Sequence, residues 1–326
     1  MNYVIILNWR NIEDTVHCVN SLLQVDTSNL SIIVCDNDSG DSSLEKLNES
    51  ILQFKNTSLV RRNIIKLSEN DISEFGPLSE KPTIYLMQNN ENYGYAGGNN
   101  RGITLALKDR NCEYVWLLNN DTEVTENSFS GLYNKMQQDL TIGICGSVLL
   151  LEDDRERLQG VGGGYNPKLC TTWHVLGNIP YSELKEYHCD NVKIDYVIGA
   201  SMLIRASALR ELGMLSEDYF LYYEEIDFCL KIQKRYRICY AKESIVYHKL
   251  GSTIKKSKSI LADYLSVKNR LIVTRKFYPK YYAIVWASLI IVLFNRLKRS
   301  EFLKAKNVFK AMTIDAINVL IKFKSV

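Results

Sequence analysis

Proline is scarce, five residues in 326, and no stretch is dominated by one or two residue types. A low-complexity linker or a chain disordered throughout is therefore not expected. No segment repeats at solenoid or propeller spacing. The cysteines, Cys18, Cys35, Cys112, Cys145, Cys170, Cys189, Cys229 and Cys239, include no Cys-x-x-Cys pair. That removes support for a zinc knuckle or a thioredoxin-type site. Several lie in apolar runs, as in Ile144-Cys145-Gly146, and read as buried free thiols in a reducing compartment. Gly-x-Gly-x-x-Gly and Gly-Lys-Ser/Thr are both missing, which weakens a dehydrogenase and a P-loop reading. The N-terminus runs from Met1 straight into Tyr3-Val4-Ile5-Ile6-Leu7 with no basic segment ahead of it, so no signal peptide is expected there.

Long apolar runs are also missing. Tyr281 to Phe294 is fourteen residues without a charge, short of the ~20 that a spanning helix needs. With Arg296, Lys298 and Arg299 behind it, this stretch fits an interfacial helix better than a buried core helix.

What is present is ordinary globular composition, 46% hydrophobic and 24% charged,. The net charge of +3 hides an asymmetry: residues 249–326 carry +14 and the remainder −11. A basic end on an acidic body suggests a surface for anionic lipid or nucleic acid; the bland alternative is a solvated tail. No recognition-helix or RNP-like pattern supports nucleic acid, so an anionic membrane surface is the expected partner of this end.

Apolar runs at 3–7, 31–35, 83–87 and 114–118 read as buried strands, with helical spacing at 13–24 and 43–54 between them. That alternation predicts a parallel α/β sheet with crossovers. Residues 55–81 read as a polar insertion or loop. Further strands are expected at 143–150, 196–204 and 237–247, a helix from Ser207, another over 218–235, and basic helices from 260. Asn8–Arg10, Asp36–Asp41 and Asn119–Asp121 all end strands, and strand ends of an open sheet converge on a ligand crevice.

Several residues there suit phosphate and metal chemistry. Asp121 at a strand end can hold a hard cation that bridges phosphates, although a lone Asp is more often a helix cap. In Asn92-Tyr93-Gly94-Tyr95-Ala96-Gly97-Gly98-Asn99-Asn100-Arg101, glycines allow close backbone approach and Arg101 can pair with phosphate. Phe220-Leu221-Tyr222-Tyr223-Glu224-Glu225-Ile226-Asp227-Phe228 sets three acids among aromatics, where apolar walls raise proton affinity and suit a general base. Acids also favour a helix start for its dipole alone. Glu224 and Asp227 are spaced to share a helix face, with Glu225 turned elsewhere. His248, after Ile245-Val246-Tyr247, can ligate a metal, though a lone histidine is more often structural.

Taken in order, Asp36-Asn37-Asp38-Ser39, the Asn92–Asn100 run, Leu118-Asn119-Asn120-Asp121-Thr122, Gly199-Ala200-Ser201-Met202-Leu203-Ile204, the Phe220–Phe228 run and Tyr247-His248-Lys249 resemble family 2 glycosyltransferases. The similarity covers about residues 3–275 and is greatest to the rhamnosyltransferase-like and galactofuranosyltransferase-like branch. Each motif is weak alone; six in order are specific. The resemblance implies a GT-A type fold, α/β with a mostly parallel central sheet, and a basic helical C-terminal extension. It implies a catalytic domain at 1–250, with a nucleotide half at 1–122 and an acceptor half at 123–250, followed by the basic region 251–326.

The implied activity is inverting transfer of a sugar, rhamnose as first guess, from a dTDP- or UDP-sugar donor. The implied acceptor is a glycan or lipid-linked glycan, and Mn²⁺ or Mg²⁺ the metal. Asp36 then contacts the pyrimidine base, within a donor site comprising Asn8, Arg10, Asp36, Asp38, Gly97, Gly98, Asn100, Arg101 and Asn120. Asp121 and His248 bind the metal. Glu225 is the base, Glu224 positions the acceptor, and Asp227 is a rival base. Two positions depart from the family pattern: Asn119 stands where the motif often opens with an acid, and Glu225 where the base is often Asp. The implied location is cytoplasmic, peripheral at the inner face of the plasma membrane. Two other readings are a catalytically degenerate nucleotide-sugar or glycan-binding module and a sugar-phosphate nucleotidyltransferase. The latter is disfavoured because Asn8 to Thr15 contains no glycine.

Overall fold

The computed structural model describes residues 1–25, 29–57, 62–75, 78, 81–249 and 260–324. Strand β1 (Asn2–Asn8) alternates its side chains between two cores: Tyr3 and Ile5 enter one, Val4 and Ile6 the other, all fully buried. A strand covered on both faces needs apolar residues at every position. Helix α1 (Ile12–Gln24) buries Cys18, Val19, Leu22 and Leu23 along one stripe and carries Glu13 and Asp14 in its first turn, where the helix dipole favours them,. β2 (Leu30–Asp36), α2 (Ser43–Thr57), β3 (Asn63–Ser68), β4 (Thr83–Gln88), α3 (Gly94–Leu107) and β5 (Tyr114–Asn119) complete a parallel half in the order β3-β4-β2-β1-β5. Part of the expected 55–81 loop is thus the edge strand β3, followed by a 3₁₀ turn at Glu69–Ile72.

The second half mixes directions. After β6 (Thr122–Val124), α4 (Ser128–Gln138) and β7 (Ile142–Leu151), a small hairpin of β9 (Gly162–Asn166) and β10 (Thr171–Val175) follows β8 (Leu158–Gly160). β11 (Ser201–Arg205) inserts antiparallel between β5 and β7. It is shorter than the expected 196–204. After α5 (Ala206–Leu212) and α6 (Glu224–Ile232), β12 (Arg237–His248) runs parallel to β7 and antiparallel to β6. Helix α6 starts at Glu224, six residues later than the expected 218. Tyr222 and Tyr223 explain the delay: both have positive φ, 70° and 75°.

Helices α7 (Ile260–Phe277), α8 (Tyr282–Lys298) and α9 (Phe302–Lys324) close the chain. Val267, Leu271 and Val273 of α7, Val285 and Leu289 of α8 and Val308 of α9 share one core with Tyr3 and Ile5. The expected boundary at residue 250 therefore divides residues that pack together. In α8 only Val285 and Leu289 are buried, so this is not a core helix. By length and composition, Pro279–Lys298 is apolar enough to cross a membrane, yet it lies against α7 and α9. All cysteines are free; Cys189 and Cys239 are half-buried and the others buried.

Candidate active site

The crevice opens at the C-terminal ends of β1, β2 and β5. At one end, register does the positioning. His248 pairs with Thr122 across β12 and β6, which sets its ring beside Asp121. His248 Nε2 lies 3.3 Å from Asp121 Oδ1, and each side chain is 7% exposed. His248 Nδ1 is 2.8 Å from Gln159 Oε1. With that amide oxygen accepting, the proton sits on Nδ1, and the Nε2 lone pair faces the carboxylate, the state an imidazole needs to bind a metal. A carboxylate and an imidazole converging on one point fit a divalent cation. Among the described residues no group of three or more His, Cys, Asp or Glu side chains is placed for a metal, so an ion held by this pair would take the rest of its shell from phosphate oxygens and water. Asn120 lines the crevice and donates to the Thr15 hydroxyl at 2.9 Å.

Asp36 is 1% exposed and accepts from the Asn8 amide (2.6 Å), the Ser39 amide (3.0 Å), the Ser39 hydroxyl (2.6 Å) and the Gln88 amide (3.2 Å). Asn8 is wholly enclosed and also accepts from the Thr15 hydroxyl at 2.8 Å. It braces Asp36 instead of lining the crevice. Arg10, in the left-handed region, donates to the Ser39 carbonyl at 3.2 Å and sits over Trp9. Asp38 is exposed. The wall here is made by Trp9, Asn11, Asn37 and Asn92.

The expected contacts of Gly97, Gly98, Asn100 and Arg101 with the donor need correction. Helix α3 begins at Gly94, which turns these residues into the body. A Cβ on Gly98 would lie 2.6 Å from a Leu7 methyl, so the glycine lets α3 approach β1. Asn100 donates to the Leu215 carbonyl at 3.0 Å and to Glu217 at 2.9 Å. Arg101 pairs with Glu69 (3.2 Å) and Glu217 (2.7 Å) and lies over the Tyr93 ring. Its charge is matched inside the protein.

At the other end stands the acidic run. Glu224 is 5% exposed and Glu225 half-buried; one carboxylate oxygen of each is buried with no hydrogen-bond partner among the described residues. Burial, and then the charge of Glu225, holds Glu224 well above the ordinary carboxylate range; burial raises Glu225 also,. The Tyr95 hydroxyl donates to the Gly199 carbonyl at 2.8 Å. Burial first, then the charges of Glu224, Glu225 and Asp121, push its ionisation far up; Tyr95 lines the crevice with Asp121, and its hydroxyl and the Glu225 Cβ both flank Gly199. Asp227 is fully buried, accepts from the Tyr219 hydroxyl at 3.0 Å and pairs with Lys276 of α7 at 2.6 Å. That pairing turns Asp227 into the protein body, away from the expected role of a rival base: it lines neither this crevice nor the cleft beyond Glu225.

The turn before these acids is pinned from α7. Asn269, wholly buried, donates to the carbonyls of Leu221 and Tyr222, each at 2.8 Å. A second cleft opens beyond it, lined by Glu225, Tyr196, Tyr222 and Tyr223 and, from the C-terminal helices, Ser266 and Arg270. Tyr222 lines both spaces. Gln159, Asn269 and Lys276 were not anticipated as parts of the site, and Trp9 only as part of the strand end Asn8–Arg10. Only Trp9, beside Asn8 at a strand end, left a local signal.

Residues 67–213 match the family described as Glycosyl transferase family 2. A hexosyltransferase of low-salt glycan biosynthesis, Agl10 of Haloferax volcanii, is 28% identical over 220 residues, 66% of this chain and 68% of its own. A crystal structure of GalNAc-T7 with UDP, GalNAc and Mn²⁺ superposes with a TM-score of 0.62 at 16% identity, over 88% of this chain. This chain spans half the length of that one. The mannosyltransferase PcManGT of Pyrobaculum calidifontis, in complex with GDP-Man and Mn²⁺, gives 0.51 at 13% identity, over 99% of this chain and 79% of its own. The fold is of the GT-A type, and the match to glycosyl transferase family 2 falls on residues 67–213.

Proposed function

We propose that the chain is a metal-dependent, inverting glycosyltransferase acting on a UDP- or dTDP-sugar, rhamnose first, and on a glycan or lipid-linked glycan acceptor. The observation that carries this reading is the Asp121–His248 pair at a crevice whose wall residue Tyr95 shares the Gly199 backbone with Glu225 of the buried acidic pair. Asp121 and His248 would hold a divalent ion, whose chemistry when bound would be to draw charge off the departing diphosphate. Asn120 and Trp9 bound the donor side of the crevice. Glu225 faces the second cleft and takes the proton as the acceptor oxygen attacks the anomeric carbon. The bond to the diphosphate breaks with its electron pair in the same displacement, which inverts the centre. Glu224, beside it, keeps the acceptor hydroxyl oriented.

The test is nucleoside diphosphate release from a panel of nucleotide sugars, with and without Mn²⁺ or Mg²⁺, for the wild type beside Asp121→Ala and Glu225→Gln. Metal-dependent release from one donor, lost in both variants, is expected. Turnover by Glu225→Gln at the wild-type rate would remove Glu225 as base. Asn119 in place of an acid favours one other reading, a binding module without turnover; metal-dependent nucleotide binding with no release in any acceptor mixture would establish it.

We further propose that the C-terminal helices seat the enzyme on the cytoplasmic face of an anionic membrane. Ile291, Phe294, Phe302, Leu303 and Phe309 are 59–67% exposed, beside the exposed Lys298, Arg299, Lys306 and Lys310. An apolar face with a basic border suits the plane of a bilayer.

A further inference from the structure

We infer that Arg270 reads an anionic group, a phosphate or a carboxylate, on the acceptor. The inference rests on the transferase reading, with Glu225 as base. A molecule that brings its hydroxyl to Glu225 through the second cleft must pass between the tyrosines of the catalytic body and the α7 side chains Ser266 and Arg270. The charges of that cleft are unevenly matched. Arg296 of α8, on its rim, is paired with Asp263 and with Glu301. Arg270 forms no ion pair with a described residue, and its Nε is buried with no hydrogen-bond partner among them. Its neighbours are the Tyr223 hydroxyl, which donates to the Cys170 carbonyl at 3.3 Å and with which the guanidinium interacts, and the Cys170 thiol; it favours the ionisation of both.

A guanidinium keeps its charge at any physiological pH and presents a planar fork of donors that matches a phosphate or carboxylate. Half-enclosed with no acid in ion-pair contact, although Glu225 lines the same cleft, it has a buried Nε without a partner among the described residues, and a ligand anion supplies one,. It is also held in place: its neighbour Asn269 is bonded to the Leu221 and Tyr222 carbonyls, and Lys276 further along α7 is paired with Asp227. A donor fixed in this way binds with little ordering cost. The ionised Glu225 would otherwise repel an anionic acceptor; Arg270 offsets that repulsion on the same wall. Two sources present this chemistry: the phosphate of a lipid carrier, and the carboxylate of an acidic sugar.

The experiment titrates the full chain, with UDP and Mn²⁺ present, with geranyl phosphate against geraniol and with methyl glucuronide against methyl glucoside. Wild type is compared with Arg270→Gln and Arg270→Lys, each checked for an unchanged thermal transition. The wild type should prefer one anionic probe over its neutral partner. Arg270→Gln should weaken that probe on the order of tenfold to a hundredfold, the range for a hydrogen bond to a charged group. Arg270→Lys should retain part of the preference, and UDP affinity should not change. Preference for the phosphate assigns the lipid carrier; preference for the carboxylate assigns the acidic sugar. An anion preference equal in wild type and Arg270→Gln, or none in the wild type while UDP still binds, overturns the assignment of Arg270 alone. An anion preference without nucleotide binding overturns the transferase reading and the acceptor role with it.

Discussion

His248 is addressed at both ring nitrogens, by Asp121 on one side and Gln159 on the other. Gln159 touches no substrate in this arrangement; it fixes which nitrogen is free. Gln159→Ala should weaken Mn²⁺ binding by roughly 10–100-fold, as loss of such supporting bonds does, measured by calorimetry with UDP present. The buried glutamates carry a second expectation. Their native proton affinity is raised, so the native state keeps these protons to a higher pH than the unfolded chain does. Their contribution to stability is full below the ordinary glutamate range and is lost as pH rises through the raised native values. Glu224→Gln should therefore melt higher than the wild type at neutral pH, with the gap closing below about pH 4. The same shift places the acid limb of the activity profile above that range. Asp121, His248 and the glutamate pair were legible because each stands at a recognisable strand or helix end. Gln159 was not, because strand register across a hairpin, which no local pattern encodes, brings it to His248. Arg101 misled for the converse reason: a basic residue after glycines looks free until Glu69 and Glu217 are placed around it.

Among elements, the alternation of apolar runs and helical spacing located β1, β2, β4 and β5 to within a residue, because each is covered on both faces, and it located β12 as well, although that strand is only partly buried. The hairpin of β9 and β10 escaped notice. Gly162-Gly163-Gly164 is a poor strand by composition, yet a Cβ on Gly163 would fall 1.9 Å from the Tyr196 ring and one on Gly164 2.1 Å from Trp173. Those glycines make room for Tyr196 and for Trp173 of the facing strand. The start of α6 was misplaced for a similar reason: a turn of two tyrosines in the left-handed region has no sequence signature, and its support comes from α7. Asn269→Ala removes both bonds to that turn. It should cost roughly 1–3 kcal/mol in urea unfolding and raise the acceptor KM more than the donor KM, since the turn carries Glu225.

For the molecule as a whole, the basic end is a continuation of the body. A chain stopped after Lys249 would uncover Leu271's and Val273's partners in the central core, and should show no cooperative thermal transition by circular dichroism. The charge asymmetry seen in the sequence has its counterpart in the exposed face of α8 and α9. Vesicles containing phosphatidylglycerol should sediment the protein, and neutral vesicles should do so less. Ile291→Ser with Phe294→Ser should reduce that binding while leaving UDP affinity intact; equal recovery from both vesicle types would remove the electrostatic part of the proposal. Strand order has a consequence for how the chain is made. β5 emerges early, but its neighbour β11 lies far downstream, and β6 waits at the opposite edge for β12. Domains of this kind emerge from the ribosome over many seconds. Asp121, synthesised in the first half, meets His248 only when β12 has been threaded between β7 and β6. Chains that stop before β12 thus lack the Asp121–His248 pair, and under the function proposed above they would spare the cell's nucleotide sugars from capture by incomplete copies.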